Sequence, residues 1–111
     1  MSDILQTRVE DLIQDLSRPT PTRECDAALV ARRLRAKGIR GTSSSTTCPV
    51  TNYIRQALDH PDSAVSTGTT STRVRFDGHY ALVSLPRSIT RFIHDFDRGR
   101  YPSLQDRTVA P

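Results

Sequence analysis

The strongest constraint on this chain is a change of hydrophobic period along its length. Apolar residues recur at helical spacing up to Leu58, alternate with polar ones between Ser63 and Ser84, and return to helical spacing after Pro86. A period of 3.6 buries one stripe of a helix and a period of 2 buries one face of a strand. The pattern therefore predicts an α+β fold: three N-terminal helices, a small antiparallel β-meander or hairpin, and a C-terminal helix. Two or three strands cannot bury an apolar face alone. The simplest solution packs the last helix on that face, with the N-terminal helices completing the core. With 111 residues the chain makes one domain, placed at 1–104, with 105–111 as a polar tail, disordered on this reading.

In the first helix Ser2 is the expected N-cap and Asp3 complements the helix dipole. Ile4, Leu5, Val9, Leu12, Ile13 and Leu16 form one stripe, and Pro19 ends it. Thr20-Pro21 is expected to open the second helix, with Ala27, Val30, Ala31 and Leu34 facing inward and Gly38 ending it in the left-handed conformation. The glycine- and hydroxyl-rich stretch from Gly38 to Thr47 reads as a flexible loop. The third helix opens near Cys48-Pro49 with Thr47 or Cys48 as its cap, carries Val50, Tyr53, Ile54, Ala57 and Leu58 inward, and ends at His60-Pro61-Asp62.

Val65 and Thr67 mark a short strand, and Gly68 to Ser71 a turn. Thr72 to Phe76 and Tyr80 to Ser84 flank Asp77-Gly78, a hairpin signal because both residues tolerate positive φ. A two-residue loop puts Val74 and Phe76 on the face of Ala81 and Val83. A three-residue loop aligns them with Tyr80 and Leu82, and this cleaner apolar face is the preferred register. The last helix starts at Pro86 and buries Ile89, Phe92, Ile93 and Phe96. Gly99 is its cap, Tyr101 packs back on the final turn, and Pro102 prevents continuation.

The net charge of +4 is unevenly spread. Residues 1–28 hold three arginines against six acids, a balance of −3, whereas residues 29–61 reach +5 and residues 62–111 carry +2. Arg32, Arg33, Arg35, Lys37 and Arg40 concentrate the basic charge, and Arg73 and Arg75 on the outer face of the hairpin extend it. Such a segment suits a phosphate backbone. The plain alternative is a solvated helix face, in a chain whose fifteen arginines to one lysine also fit a GC-rich coding sequence. No apolar run approaches the roughly 20 residues a membrane span needs. The acidic start, Met1-Ser2-Asp3, lacks the basic region of a signal peptide, so a cytoplasmic location with reduced Cys25 and Cys48 is expected.

Other chemistry-bearing residues carry weaker signals. The Gly41 to Thr47 loop precedes a helix start, where backbone amides bind anions, but it lacks the Gly-Lys-Ser/Thr ending of a P-loop. Cys48 at a helix start invites a thiolate reading. Arg55, however, falls one position too late for phosphatase-type spacing and lies on a helix, so a structural or capping cysteine is expected. His60, His79 and His94 show no metal-ligand spacing with each other or with the cysteines. Asp95 and Asp97 diverge on their helix and do not make a carboxylate pair. Three helices followed by a hairpin suit a winged helix-turn-helix, but the turn before the third helix is far longer than the three or four residues that motif uses. The third helix also offers only Arg55, Asn52 and Gln56 for reading bases.

Val30-Ala31-Arg32-Arg33-Leu34, Gly38-Ile39-Arg40-Gly41, Cys48-Pro49-Val50-Thr51-Asn52-Tyr53-Ile54, Leu85-Pro86 and the run from Phe92 to Leu104 resemble a group of short actinobacterial and actinophage proteins. The likeness spans residues 27–104, about 70% of the chain, and rests on Cys-Pro-x3-Tyr followed by Phe-Asp-x-Gly-x-Tyr-Pro. It implies a compact intracellular domain and transfers no catalytic or binding residue.

The functional expectation is a non-enzymatic binding module without cofactor or metal. Its partner is nucleic acid, contacted by Arg32, Arg33, Arg35, Lys37, Arg40, Arg73 and Arg75. One alternative is a protein-interaction module docking through Tyr53, Tyr80 or Tyr101. A remoter one is an enzyme dependent on Cys48.

Overall fold

A computed structural model describes residues 3–59 and 63–105. Helix α1 (Asp3–Ser17) buries Leu5, Val9, Ile13 and Leu16. Ile4, expected in that stripe, is 73% exposed. It lies about 100° around the helix from Leu5, beyond the edge of a narrow apolar face. Leu12 is half-buried. Ser17 closes the helix by donating its hydroxyl to the Ile13 carbonyl (2.8 Å). The expected cap Ser2 and the Asp3 side chain lie outside the described residues.

The second helix, α2 (Ala27–Ala36), starts later than the sequence predicts. Proline disfavours helical backbone at the residue before it, here Thr20. Thr20 instead closes a tight turn: its amide donates to the Arg23 carbonyl (2.9 Å), and its hydroxyl accepts from the Arg23 amide (3.1 Å). Asp26 is the true N-cap, accepting from the Leu29 amide at 2.9 Å. Gly38 (φ +71°) ends α2, with the Ile39 amide on the Leu34 carbonyl and the Gly38 amide on that of Arg35. Ile39 folds back into the core, completing a Schellman motif.

The segment expected as a flexible loop is held at both ends by hydrogen bonds. The Gly41 amide donates to the Leu104 carbonyl (2.9 Å), the Thr42 amide to that of Thr47 (2.8 Å), and Asn52 Nδ2 to that of Arg40 (2.7 Å). Helix α3 (Pro49–Leu58) follows with Pro49 in the first turn, as the sequence predicts, and Cys48, one of the two candidate caps, is the N-cap. Ala57 is exposed rather than inward. Asp59 (φ +54°) caps the C-terminus, and the predicted terminator His60-Pro61-Asp62 lies outside the described residues.

Strands β1 (Ala64–Thr67), β2 (Ser71–Phe76) and β3 (His79–Ser84) form one antiparallel sheet in that order. The hairpin loop has two residues, not three: Phe76 pairs with His79, and Asp77 (φ +50°) and Gly78 (φ +80°) both take positive φ. This turn matches the twist of the flanking strands. It places Val74 opposite Ala81 and Thr72 opposite Val83 on the buried face with Val65 and Thr67. Tyr80 and Leu82 are thereby turned outward. The preferred apolar pairing failed because Thr67 and Thr72 are buried, so counting hydrocarbon residues alone misjudges the faces.

Those threonines are satisfied internally. Thr51 of α3 donates to the Ser45 carbonyl (2.6 Å) and shares a hydrogen bond with Thr67 (2.8 Å), which in turn contacts the Thr72 hydroxyl (3.0 Å). The chain of hydroxyls fixes α3 against β1 and β2.

Helix α4 (Arg87–Asp97) buries Ile89, Phe92, Ile93 and Phe96 as predicted. Its main partner is α2 rather than the sheet, whose buried face is covered by α1 beside β3 and α3 beside β1. Ala27 and Ala31 let α4 approach α2 closely. Tyr101 stacks on Phe92 with ring centroids 5.2 Å apart. Pro102 opens a short 3-10 helix, Pro102–Leu104, that buries Leu104. Gln105, expected in the tail, bridges to Gly41, whereas 106–111 lie outside the described residues. No helix among the described residues is long and apolar enough to cross a membrane.

A candidate nucleic-acid interface

Successive residues on a helix point about 100° apart, so a run of cations along α2 spreads around it. Arg33 turns back to α1, where Nη1 donates to the carbonyls of Leu16 (3.0 Å) and Asp15 (3.3 Å), the free acceptors of that helix end. Lys37 lies over the Tyr53 ring, Nζ 5.9 Å from its centroid. Both line a groove that also holds Asp15 and Arg18. Arg35 points to the opposite flank, where Nε donates to Ser103 Oγ (3.0 Å). Arg40 borders the adjoining hollow with Pro102, Ser103 and Gln105. Arg32 is exposed between these two groups. Four of the five cations thus divide between two flanks with Arg32 between them, and three of them, Arg33, Arg35 and Lys37, make internal contacts.

Arg73 and Arg75 are placed differently. The two-residue hairpin turn sends them outward on β2, where Arg73 faces Leu82 and Arg75 faces Tyr80 across β3, with Ser66 and Ala64 opposite on β1. Tyr80 and Leu82 are 47% and 48% exposed. Arg55 of α3 joins this group. Arg55, Arg73 and Arg75 line one hollow of about 320 Å³ with Thr46, Ser66 and Tyr80. Arg55 Nη2 donates to the Thr46 carbonyl (3.2 Å), while its Nε is buried without a hydrogen-bond partner. Among the described residues no carboxylate lines the hollow, and none of these three arginines forms an ion pair. Three guanidiniums and an exposed aromatic ring therefore share one site, a combination that attracts phosphate and offers a base a stacking surface.

In the sequence Arg73 and Arg75 stand together on the outer face of the hairpin, Tyr80 stands apart from them as a docking residue, and Arg55 is the one basic residue of its helix. The correct hairpin register was the available signal, since it alone puts Arg75 opposite Tyr80. Nothing in the spacing of Arg55 announces that α3 lies against β1.

The other singled-out residues fall elsewhere. Tyr53 is only 5% exposed and donates its hydroxyl to the Leu12 carbonyl (2.9 Å), so it cannot serve as a docking residue. Burial, and then the charge of Asp15, push its phenol above the usual value. Tyr101 is half-buried under Phe92, and burial raises its phenol as well. Cys48 is 4% exposed and its sulfur contacts the amide (3.5 Å) and hydroxyl (3.4 Å) of Thr51. Cys25 is half-buried beside Arg33. His79 sits at the hairpin end and His94 on the exposed side of α4, while His60 lies outside the described residues. The Asp26 carboxyl lies below its ordinary range, held first by the Leu29 amide and then by Arg23.

No protein-family model, curated protein or solved structure matches this chain.

Proposed function

We propose that this protein is a non-enzymatic nucleic-acid-binding module that holds single-stranded RNA or DNA on the outer face of its sheet. The carrying observation is the shared hollow of Arg55, Arg73, Arg75 and Tyr80. Cations spaced along the sheet follow a phosphate backbone, and Tyr80 with Leu82 offers an apolar surface for an unstacked base. A single strand suits this face better than a duplex. Reading the major groove takes a helix or two-stranded ribbon that enters it. Here the Gln6 side chain holds both the amide and the carbonyl of Leu82 on β3, and the Thr67 amide of β1 donates to Ser45, so the sheet is flanked rather than projecting. Arg32, Arg35 and Arg40 supply weaker long-range attraction from other surfaces of the molecule.

Fluorescence anisotropy with 3′-labelled oligouridylate and oligothymidylate tests the reading. Three phosphate contacts predict a salt slope near −2, from a single-strand coefficient of about −0.7 per phosphate. Arg73→Gln/Arg75→Gln should weaken binding strongly, whereas Arg32→Gln/Arg35→Gln should weaken it slightly. Absence of binding at low salt, or a double hairpin variant that binds as tightly as the unaltered protein, defeats the proposal.

A further inference from the structure

The hollow on the outer sheet face has a feature that backbone tracking does not use. Its cations come from two elements at different heights: Arg73 and Arg75 from alternate positions of β2, and Arg55 from α3 beside β1. Arg55 is anchored from behind through Nη2 to the Thr46 carbonyl, yet leaves a buried Nε–H without an acceptor. The remaining guanidinium donors of Arg55, rather than the occluded Nε–H, are the ones open to an anion oxygen in the hollow. The hydroxyl residues Thr46 and Ser66 also line the site.

We propose that this hollow is a subsite for a phosphate monoester at the end of a nucleic-acid strand, with the terminal base on Tyr80. This rests on the single-strand reading above and specifies which part of the strand the cluster recognises. A monoester is a dianion near neutral pH with three terminal oxygens, each able to accept from a guanidinium. An internal diester has one charge and two free oxygens, and its chain must leave the site in two directions. Three arginines lining one hollow without a neighbouring carboxylate among the described residues match the dianion. The volume of about 320 Å³ is at the lower end of small-molecule pockets and accommodates a terminal phosphate with part of its sugar.

The test is competition by unlabelled strands of one sequence that end in a 5′-phosphate, a 3′-phosphate or only hydroxyls, against one labelled strand. One phosphorylated strand should compete at least about tenfold better than the hydroxyl-ended strand, roughly the value of one added charge-assisted contact. That advantage should shrink between pH 7.5 and 5.5 as the dianion takes up one proton near pH 6 and becomes a monoanion. Arg75→Gln, at an exposed position, should remove the advantage without lowering the melting temperature. Arg55→Gln should do the same wherever circular dichroism confirms a folded protein. Equal competition by all three strands overturns the inference and leaves the single-strand reading standing, whereas binding of none of them overturns both. A phosphoserine peptide that competes as well as the phosphorylated strand overturns the assignment to nucleic acid. Free uridine monophosphate competing as well as the phosphorylated strand shows a mononucleotide site and overturns recognition of a strand end.

Discussion

Arg75 and Tyr80 stand directly opposite each other on the β2–β3 ladder, both on the solvent side of the sheet. Cross-strand neighbours have Cβ atoms about 5 Å apart, which places a guanidinium beside an exposed ring. Under the proposed function, a nucleotide stacked on Tyr80 would present its phosphate to Arg75. Tyr80→Ala should weaken single-strand binding by about 1–3 kcal/mol, the usual range for loss of one stacked base. Tyr80→Phe should retain most of the affinity. Anisotropy titrations of both variants check this, and equal losses would point to the hydroxyl rather than the ring.

Arg33 is the cation of α2 whose role is most plainly structural. Its Nη1 satisfies two carbonyls at the end of α1, 17 and 18 positions away in sequence. Removing it takes the partner of the Asp15 carbonyl, leaves the Leu16 carbonyl with only the long Cys25 Sγ contact (3.9 Å), and takes a positive charge from a helix C-terminus. Arg33→Ala should lower stability by about 1–2 kcal/mol, against less than about 0.5 kcal/mol for the exposed Arg32→Ala. Urea unfolding distinguishes them. Nucleic-acid affinity should change little for Arg33→Ala, although sequence clustering alone ranks the two arginines equally.

That contrast shows where the sequence is informative. Helical stripes such as Ile89, Phe92, Ile93 and Phe96 are legible because burial follows local period, and Gly38, Gly99 and Cys48-Pro49 announce their caps through backbone chemistry. The sequence places the start of α2 too early because Thr20-Pro21 and Asp26 both offer helix-start chemistry, and only the turn bonds of Thr20 decide between them. The sheet register was misread because buried Thr67 and Thr72 count as polar until their hydroxyl partners are known. Arg55 stayed hidden because its proximity to Arg73 and Arg75 is a tertiary fact. Charge density along the chain also overstated α2, since a helix disperses what a strand gathers on one face.

Gly41 is needed for close approach. A Cβ there would lie 2.5 Å from the Pro49 nitrogen and the Thr47 oxygen, and 2.6 Å from the Cys48 carbonyl carbon, all backbone atoms. None can move without disturbing the cap of α3 or the hydrogen bond from the Gly41 amide to Leu104. Gly41→Ala should cost about 3 kcal/mol or more, enough to shift the melting temperature by more than about 10 °C. Gly78→Ala meets nothing within 4 Å and bears only the strain of its φ of +80°, about 1 kcal/mol. Melting curves of the pair check the ranking. Similar losses would mean that the contact around Gly41 relaxes freely.

Tyr53 gives the fold an alkaline limit. Its buried hydroxyl donates to the Leu12 carbonyl, joining α3 to α1, and burial followed by the charge of Asp15 disfavours the phenolate, against a smaller opposing effect of Arg33. The folded protein therefore holds the proton more tightly than the unfolded chain, in which tyrosine ionises near pH 10. The resulting stabilisation is fully present below that pH and is lost as pH rises through the higher folded value. Tyr53→Phe should lose about 1 kcal/mol at neutral pH, from the missing hydrogen bond. It should also unfold with a shallower dependence on pH above 10 than the unaltered protein. Urea midpoints between pH 7 and 11 measure both effects. Parallel curves for the two proteins would show that Tyr53 does not contribute to the alkaline transition.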